Sequence, residues 1–363
     1  MDVVIQRFFG REHILLQRPE AIRHVLVDNA QNYRRSSTAA RVLRPMFGRG
    51  LFLSAGEDWR QQRRSVAPAF APRQVHMLAR QVVAAADRLA GDLAALDSAI
   101  NLVPIFQRLA LEIIGGAVFS LDMRQYGPEL RELILRYAAR LGRPSLIDFL
   151  LPLGVSSPGD LARARFRRRW RRLIDRIIAE RAARPSGGSH DLFDILATSD
   201  PETSPPLAAE RLGDQIATIV VAGHETTAAA LFWTIYLLAL HPEEQERLAA
   251  EIAPLGLIPE NAAELLPQLV RTRAVIDESL RLYPPAFVIV REALDNDEAG
   301  GVPVRKGSLV LSRRGSCIAT DVSGRRRSAS TRRASCRMRC RRRGSPTCRL
   351  APARGFASAR RLR

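Results

Sequence analysis

The sequence predicts a mainly α protein with a small β-sheet. Two observations carry this. Apolar residues recur at helical spacing over long stretches, and only a few short runs alternate and are rich in β-branched residues. A third observation concerns function. The longest apolar stretch, Ile216 to Leu240, is interrupted near its middle by Ala222-Gly223-His224-Glu225-Thr226-Thr227.

The elements follow in order. Val3 to Leu16 alternates, breaks at Gly10 and reads as a hairpin. Pro19 to Val27 reads as a short helix with proline at its start. Val75 to Leu96, Leu102 to Phe119 and Pro128 to Leu141 have helical patterns. Asp160 to Arg184 reads as a long basic helix, and a Pro-Ser-Gly-Gly-Ser loop ends it. After Ile216 to Leu240 come helices over Pro242 to Ile252 and Leu269 to Leu282, the last stopped by Pro284-Pro285. Val288 to Val290 and Ser308 to Ser312 read as strands.

The formal net charge of +19 points at first to an acidic partner. Its location weakens that reading. Residues 313–363 hold 17 arginines against one acid, Asp321, so +16 of the charge lies there and +3 in residues 1–312. All four cysteines, Cys317, Cys336, Cys340 and Cys348, lie in the same tail. The body therefore has no disulfide framework. Cys336-x-x-x-Cys340 is only a faint zinc half-site, because no histidine follows His241, and no metal ligand is assigned. A membrane span over Ile216 to Leu240 would carry Glu225 near its centre, at a cost of roughly 2–3 kcal/mol. A buried core helix whose polar residues mark a site is the better reading. No basic start followed by an apolar run is visible after Met1, which predicts a cytoplasmic protein.

Three groups of residues suggest chemistry. In the long helix, Gly223 leaves room for something flat to approach the backbone. Thr226 can turn its hydroxyl onto a carbonyl one turn back and loosen the helix. Glu225 beside it can relay protons. Glu278 and Arg281 share a helix face at i and i+3. Trp59 and Arg63 share another, and a guanidinium there suits a carboxylate bidentately. Arg291 follows Pro284-Pro285 and the short strand Val288 to Val290.

These groups, in this order, resemble the motifs of cytochrome P-450, the haem-thiolate monooxygenases, over residues 1–312. The resemblance implies the mainly helical P-450 fold and insertion of one oxygen atom from dioxygen into a small organic or lipid-like substrate. It implies a b-type haem and an electron-donor protein, a ferredoxin or a flavin reductase. Glu225 and Thr226 match the catalytic proton-relay pair. Trp59, Arg63 and Arg291 match contacts to the haem propionates, and Gly223 matches the cofactor-facing glycine. Glu278 and Arg281 match the structural Glu-x-x-Arg pair. Two departures stand out. The chain begins at the first sheet strands, without the family's N-terminal helix or any anchor. No Phe-x-x-Gly-x-x-x-Cys-x-Gly loop is present, so the fold is expected to lack its haem-ligand loop and last helix, and the chain to be inactive.

The tail reads as out of frame. If one base was lost near Leu311, each intended codon takes the third base of one observed codon and the first two of the next. Arg313 through Thr320 then permits Pro-Trp-Val-Leu-His-Arg-His. Ala329 through Cys336 permits Phe-Asp-Pro-x-Arg-Phe-Leu. Gly344 through Ala359 permits Phe-Ala-Tyr-Leu-Pro-Phe-Gly-Ala-Gly-x-Arg-Val-Cys-Val-Gly. The three strings resemble the family's segments after the last helix, ending in the ligand loop. As written, the tail lacks helical or strand periodicity and is expected to be disordered. Two other roles for the arginines were weighed. In one, the tail is a nucleic-acid-binding arm on a non-enzymatic helical scaffold, which its lack of tyrosine and tryptophan disfavours. In the other, Asp160 to Arg184 lies on a membrane surface, with Phe166, Trp170, Leu173 and Ile177 on one face and Arg163, Arg167, Arg168, Arg171 and Arg172 flanking it.

Overall fold

The computed structural model describes residues 3–313, except 9–10, 71–74, 97–98, 122, 124, 146, 149–154, 185–191 and 199–204, together with 339–340 and 348–349. The fold is mainly helical with a small sheet, as the periodicities predict. The hairpin forms as strands β1 (Val3–Phe8) and β2 (Arg11–Leu16). Helix α1 (Pro19–Arg23) has proline in its first turn and widens into a π-helical turn over His24–Asp28. Strand β3 (Tyr33–Arg34) pairs with β4 (Val288–Ala293), and β7 (Leu309–Arg313) runs between β2 and β4. The sheet order is β1-β2-β7-β4-β3, with β2 and β7 parallel and the other neighbours antiparallel. A two-residue ladder joins β5 (Asp297–Glu298) to β6 (Pro303–Val304). In the tail, only a ladder of β8 (Arg339–Cys340) with β9 (Cys348–Arg349) is described. The disordered-tail and nucleic-acid-arm readings otherwise lie outside the described residues.

The helical layer contains α2 (Ser37–Phe47), α3 (Gly56–Val66), α4 (Val75–Ala94), α5 (Leu102–Phe119) and α6 (Gly127–Arg136). It continues with α7 (Pro158–Ala182), α8 (Leu192–Thr198), α9 (Pro205–Ala239), α10 (Pro242–Ile252), α11 (Ala262–Leu265) and α12 (Val270–Leu282). Helix α2 is not legible from periodicity, because Pro45 lies inside it. Ser36 nevertheless starts it, accepting from the Ala39 amide. Helix α9 begins eleven residues before Ile216, at Pro205. Its added turns include Asp214 and Gln215, which are buried by long-range bonds rather than by hydrophobicity. Asp214 accepts from the Arg49 amide at 2.7 Å, and Gln215 from the Leu51 amide at 3.2 Å.

Helix α7 corrects the membrane-surface reading. Its stripe of Phe166, Trp170, Leu173 and Ile177 is buried in the core with residues of α2, α5, α6 and α9. Each such side chain contributes about 1.5–3 kcal/mol when fully buried, so the stripe is already covered and cannot face lipid. The Trp170 indole N–H donates to the Met46 carbonyl at 2.9 Å. Arg163 is buried too, not solvated. It donates from both terminal nitrogens to Asp148 at 2.7 Å. The hydrogen bonds from Arg163 hold the Asp148 carboxyl well below its ordinary range. Ser157 and Asp160 form a capping box that starts α7, and Arg41 of α2 donates to that Asp160.

Removing one partner of a buried pair strands the other charge. Arg163→Met should therefore lower the unfolding free energy by about 3–5 kcal/mol in urea titration. Arg165→Met, on the exposed side of α7, should change it by less than about 0.5 kcal/mol. Equal losses would show that the Asp148 contact does not hold α7 in place.

Candidate active site on the central helix

Helix α9 packs on α5, α12, α7 and α2. By length and composition, Arg211–Ala239 could also cross a membrane. In the structure Ile216, Ala217, Val220 and Ala228 are buried in it, while Ala222, Thr226 and Thr227 are exposed at its middle. A helix packed by its neighbours thus has an open strip at the polar motif. The Thr226 hydroxyl donates to the Ala222 carbonyl at 2.5 Å, the back-bond expected of a threonine that loosens a helix.

The carboxylate of Glu225 is half exposed, with 41% of its side-chain surface open. Its two oxygens accept from the Gln107 amide at 3.2 and 3.3 Å. Gln107 lies buried in α5, and its carbonyl oxygen accepts from Arg131 Nε at 3.2 Å. The acid is therefore held from the side by a Gln–Arg relay. Neither Gln107 nor Arg131 was singled out from the sequence. The available signal was a lone glutamine inside the apolar run Leu102 to Phe119.

Beside Glu225, His224 is fully buried, and neither ring nitrogen has a hydrogen-bond partner among the described residues. Its Nδ1 lies 3.4 Å from Glu225 Oε1 without forming a hydrogen bond. An ion pair would need a protonated ring. Burial, and then the positive charge of Arg131, bring the His224 pKa down to about 4, so the ring is neutral near pH 7.

At Gly223 a Cβ would stand 2.8 Å from Ile114 Cδ1 of α5, so the missing side chain eases the crossing of two helices, and Ala222 and Thr226 carry the exposed strip beside it.

Glu278 and Arg281 pair as expected. Arg281 donates from Nε and Nη2 to the two carboxylate oxygens, each at 2.7 Å. Glu278 is buried and Arg281 partly so. Trp233 of α9 stacks on Tyr283 at the end of α12, with ring centroids 4.1 Å apart and planes within 6°, which ties the pair's helix to the site helix. Trp59 and Arg63 stand on the exposed side of α3, and no described contact joins them to Arg291. Arg291 is partly buried on β4, and its described hydrogen bond goes to the adjacent Val290 carbonyl. Burial lowers its pKa from the ordinary arginine value.

These residues match known proteins. The family model for cytochrome P450 matches residues 2–317. The chain is 31% identical over 319 residues to cyclooctat-9-en-7-ol 5-monooxygenase of Streptomyces melanosporofaciens, covering 85% of this chain and 67% of that protein. It is 28% identical over 326 residues to protein LUTEIN DEFICIENT 5, chloroplastic, of Arabidopsis thaliana, covering 84% of this chain and 54% of that one. The fold is similar to the crystal structure of the cytochrome P450DA heme domain, with a TM-score of 0.72 at 23% identity, over 88% of this chain and 71% of that one. The fold and the family match together define a haem-monooxygenase scaffold. The chain belongs to the cytochrome P450 family.

The family implies haem, and the described residues fit it on two sides. The open strip of α9 offers a backbone face without bulky side chains. Arg63 and Arg291 have no described carboxylate partner, which suits the two propionates of a porphyrin. The tail, where the family's iron-ligand loop would be expected, lies outside the described residues apart from 339–340 and 348–349.

The buried, neutral histidine gives a pH test. A base whose folded pKa lies below its unfolded value binds its proton in the unfolded state first. Stability from His224 is therefore complete above about pH 6.5 and is lost as pH falls toward 4, by roughly 3 kcal/mol in total. His224→Phe should remove that slope from urea midpoints measured between pH 7 and 4. An unchanged slope would mean that the ring takes up its proton equally readily in the folded and unfolded states.

Proposed function

We propose that the parent protein is a haem-dependent monooxygenase, and that this chain is inactive because its iron-ligand loop is read out of frame. The observation that carries the first half is the open strip at Ala222 and Thr226, with the Glu225 carboxylate held beside it. Haem, when bound, supplies dioxygen activation and oxygen-atom transfer. The chain supplies the surroundings. Thr226 holds a hydroxyl on the open strip, and its bond to the Ala222 carbonyl leaves the oxygen able to accept and pass a proton. Glu225 is the proton source beside it, held by Gln107 until it turns toward the strip. Trp59, Arg63 and Arg291 hold the propionates by charge and hydrogen bonds. Glu278 and Arg281 fix the helix behind the cofactor.

Several observations support the second half. The family match ends at residue 317 although the chain runs to 363. The arginine excess begins at Arg313, and all four cysteines follow it. Residues 1–312 then form the P450 body and 313–363 the out-of-frame tail. GC-rich codons read out of frame favour arginine, which accounts for the charge without a nucleic-acid partner.

The expected substrate is a small organic or lipid-like molecule, in keeping with the relative named for cyclooctat-9-en-7-ol. The expected electron donor is a ferredoxin or a flavin reductase, and the expected location is cytoplasmic.

Restoring one base near Leu311 should convert the tail into a sequence ending in a cysteine loop. The encoded protein should bind haem and gain thermal stability with it, since a ligand bound only by the folded state raises Tm. Two results would defeat this reading. DNA sequencing could show that the Phe356 and Ala357 codons spell arginine in the alternate frame, or the repaired protein could express well and show no thiolate-ligated haem spectrum.

A further inference from the structure

His224 belongs to the polar motif of α9, yet the relay through Glu225 and Thr226 makes no use of it. The side chain is fully buried, and neither ring nitrogen has a hydrogen-bond partner among the described residues. A buried N–H without an acceptor costs free energy, so the position of the ring proton matters.

The polar groups of this corner come from three helices. On α9 itself, Glu225 Oε1 lies 3.4 Å from His224 Nδ1. From α5, the Gln107 amide donates to the two Glu225 oxygens at 3.2 and 3.3 Å. From α6, Arg131 brings a positive charge that adds to burial in disfavouring protonation of the ring. Arg131 also settles which way Gln107 points. Its Nε donates to the Gln107 carbonyl oxygen at 3.2 Å, so the N–H end of the amide is the one turned to Glu225. Gln107 therefore acts on that carboxylate only as a donor.

A neutral imidazole carries one N–H, and its place is set by the hydrogen bond it can make. On Nε2 the proton has no acceptor among the described residues. On Nδ1 it faces Glu225 Oε1. A carboxylate oxygen can accept more than one bond, so the contact with Gln107 leaves room for a second donor. A small turn of either side chain closes the 3.4 Å approach into a hydrogen bond.

We propose that His224 is a positioning residue: it stands in the Nδ1–H tautomer, donates to Glu225 Oε1, and with Gln107 holds the carboxylate away from the strip at Ala222 and Thr226. Its part in the reaction rests on the proton-relay reading of Glu225; the hydrogen bond itself does not. Glu225 must leave both donors before it turns to Thr226, so the two together set how often the acid reaches the strip.

The test reads the tautomer in the full chain, without cofactor, near neutral pH. Long-range proton–nitrogen correlation spectra are recorded with isotope-labelled histidine, and the His224 signals are assigned by their loss in His224→Phe or His224→Asn. The Nδ1–H pattern is expected, although a free imidazole side chain prefers Nε2–H. In Glu225→Ala the ring should return to Nε2–H. An Nε2–H ring in the wild-type chain overturns the proposal, and so does an Nδ1–H ring that Glu225→Ala leaves unchanged.

A second arm reads the freedom of the acid, as the rate at which a water-soluble carbodiimide modifies Glu225, followed by mass spectrometry. Loss of one donor in His224→Phe should raise that rate about fivefold. His224→Asn, whose side-chain amide can take the place of Nδ1–H, should restore it. Equal rates in all three chains overturn the positioning role. If His224→Phe does not fold, the wild-type tautomer decides. Neither arm needs haem, so a chain that shows both signatures and takes up no porphyrin fails the haem reading alone.

Discussion

The crossing of α9 over α5 governs the rest of the molecule. Gly223 lets Ile114 approach the backbone of α9, and this close approach puts Gln107 within reach of Glu225. The same crossing buries His224 with no partner among the described residues for either nitrogen. Burying unsatisfied polar groups costs free energy, so the helix pair must gain its stability from apolar packing elsewhere, as at Ile216 and Val220. Packing on one side is also what leaves the other side open at Ala222 and Thr226. The strip therefore follows from how α9 is held, and the acid beside it follows from the same contact.

A second constraint comes from buried charge. Glu278 and Arg281 are bound at both oxygens, and Arg163 grips Asp148 in the same manner. Such pairs add little net stability when complete, and cost several kcal/mol when one partner is lost. They act as registers: one sets the turn of α12 relative to α9, and the other sets α7 relative to the segment before it.

Much of this was legible in the sequence, for definable reasons. The periods of Leu102 to Phe119 and Pro242 to Ile252 mark helices whose bounds agree with the structure. Glu278 and Arg281 lie three residues apart, so local spacing sufficed. The errors arose where distant segments decide. Helix α2 was hidden by Pro45, and the first turns of α9 by polar residues that are buried by bonds to Arg49 and Leu51. Arg163, one of the arginines flanking the apolar stripe of α7, is buried by its pair with Asp148, which spacing along the helix does not show. Gly223 also meets Ile114 of α5, more than a hundred residues earlier, a contact that local spacing does not show. Gln107 and Arg131 matter only through partners far along the chain, and no spacing rule marks them.

On the proposed function, residues 1–312 keep the strip at Ala222 and Thr226 with Glu225 beside it, the Glu278–Arg281 pair and Arg291, and the tail has lost the iron ligand. The most direct test of that function is the spectrum of the chain as written. Residues 1–363 are expressed, supplied with haem, reduced and exposed to carbon monoxide. The account predicts no thiolate-type Soret band, whether or not haem is retained. A normal thiolate-type band would contradict it, because an iron-ligating cysteine would then be present in the chain.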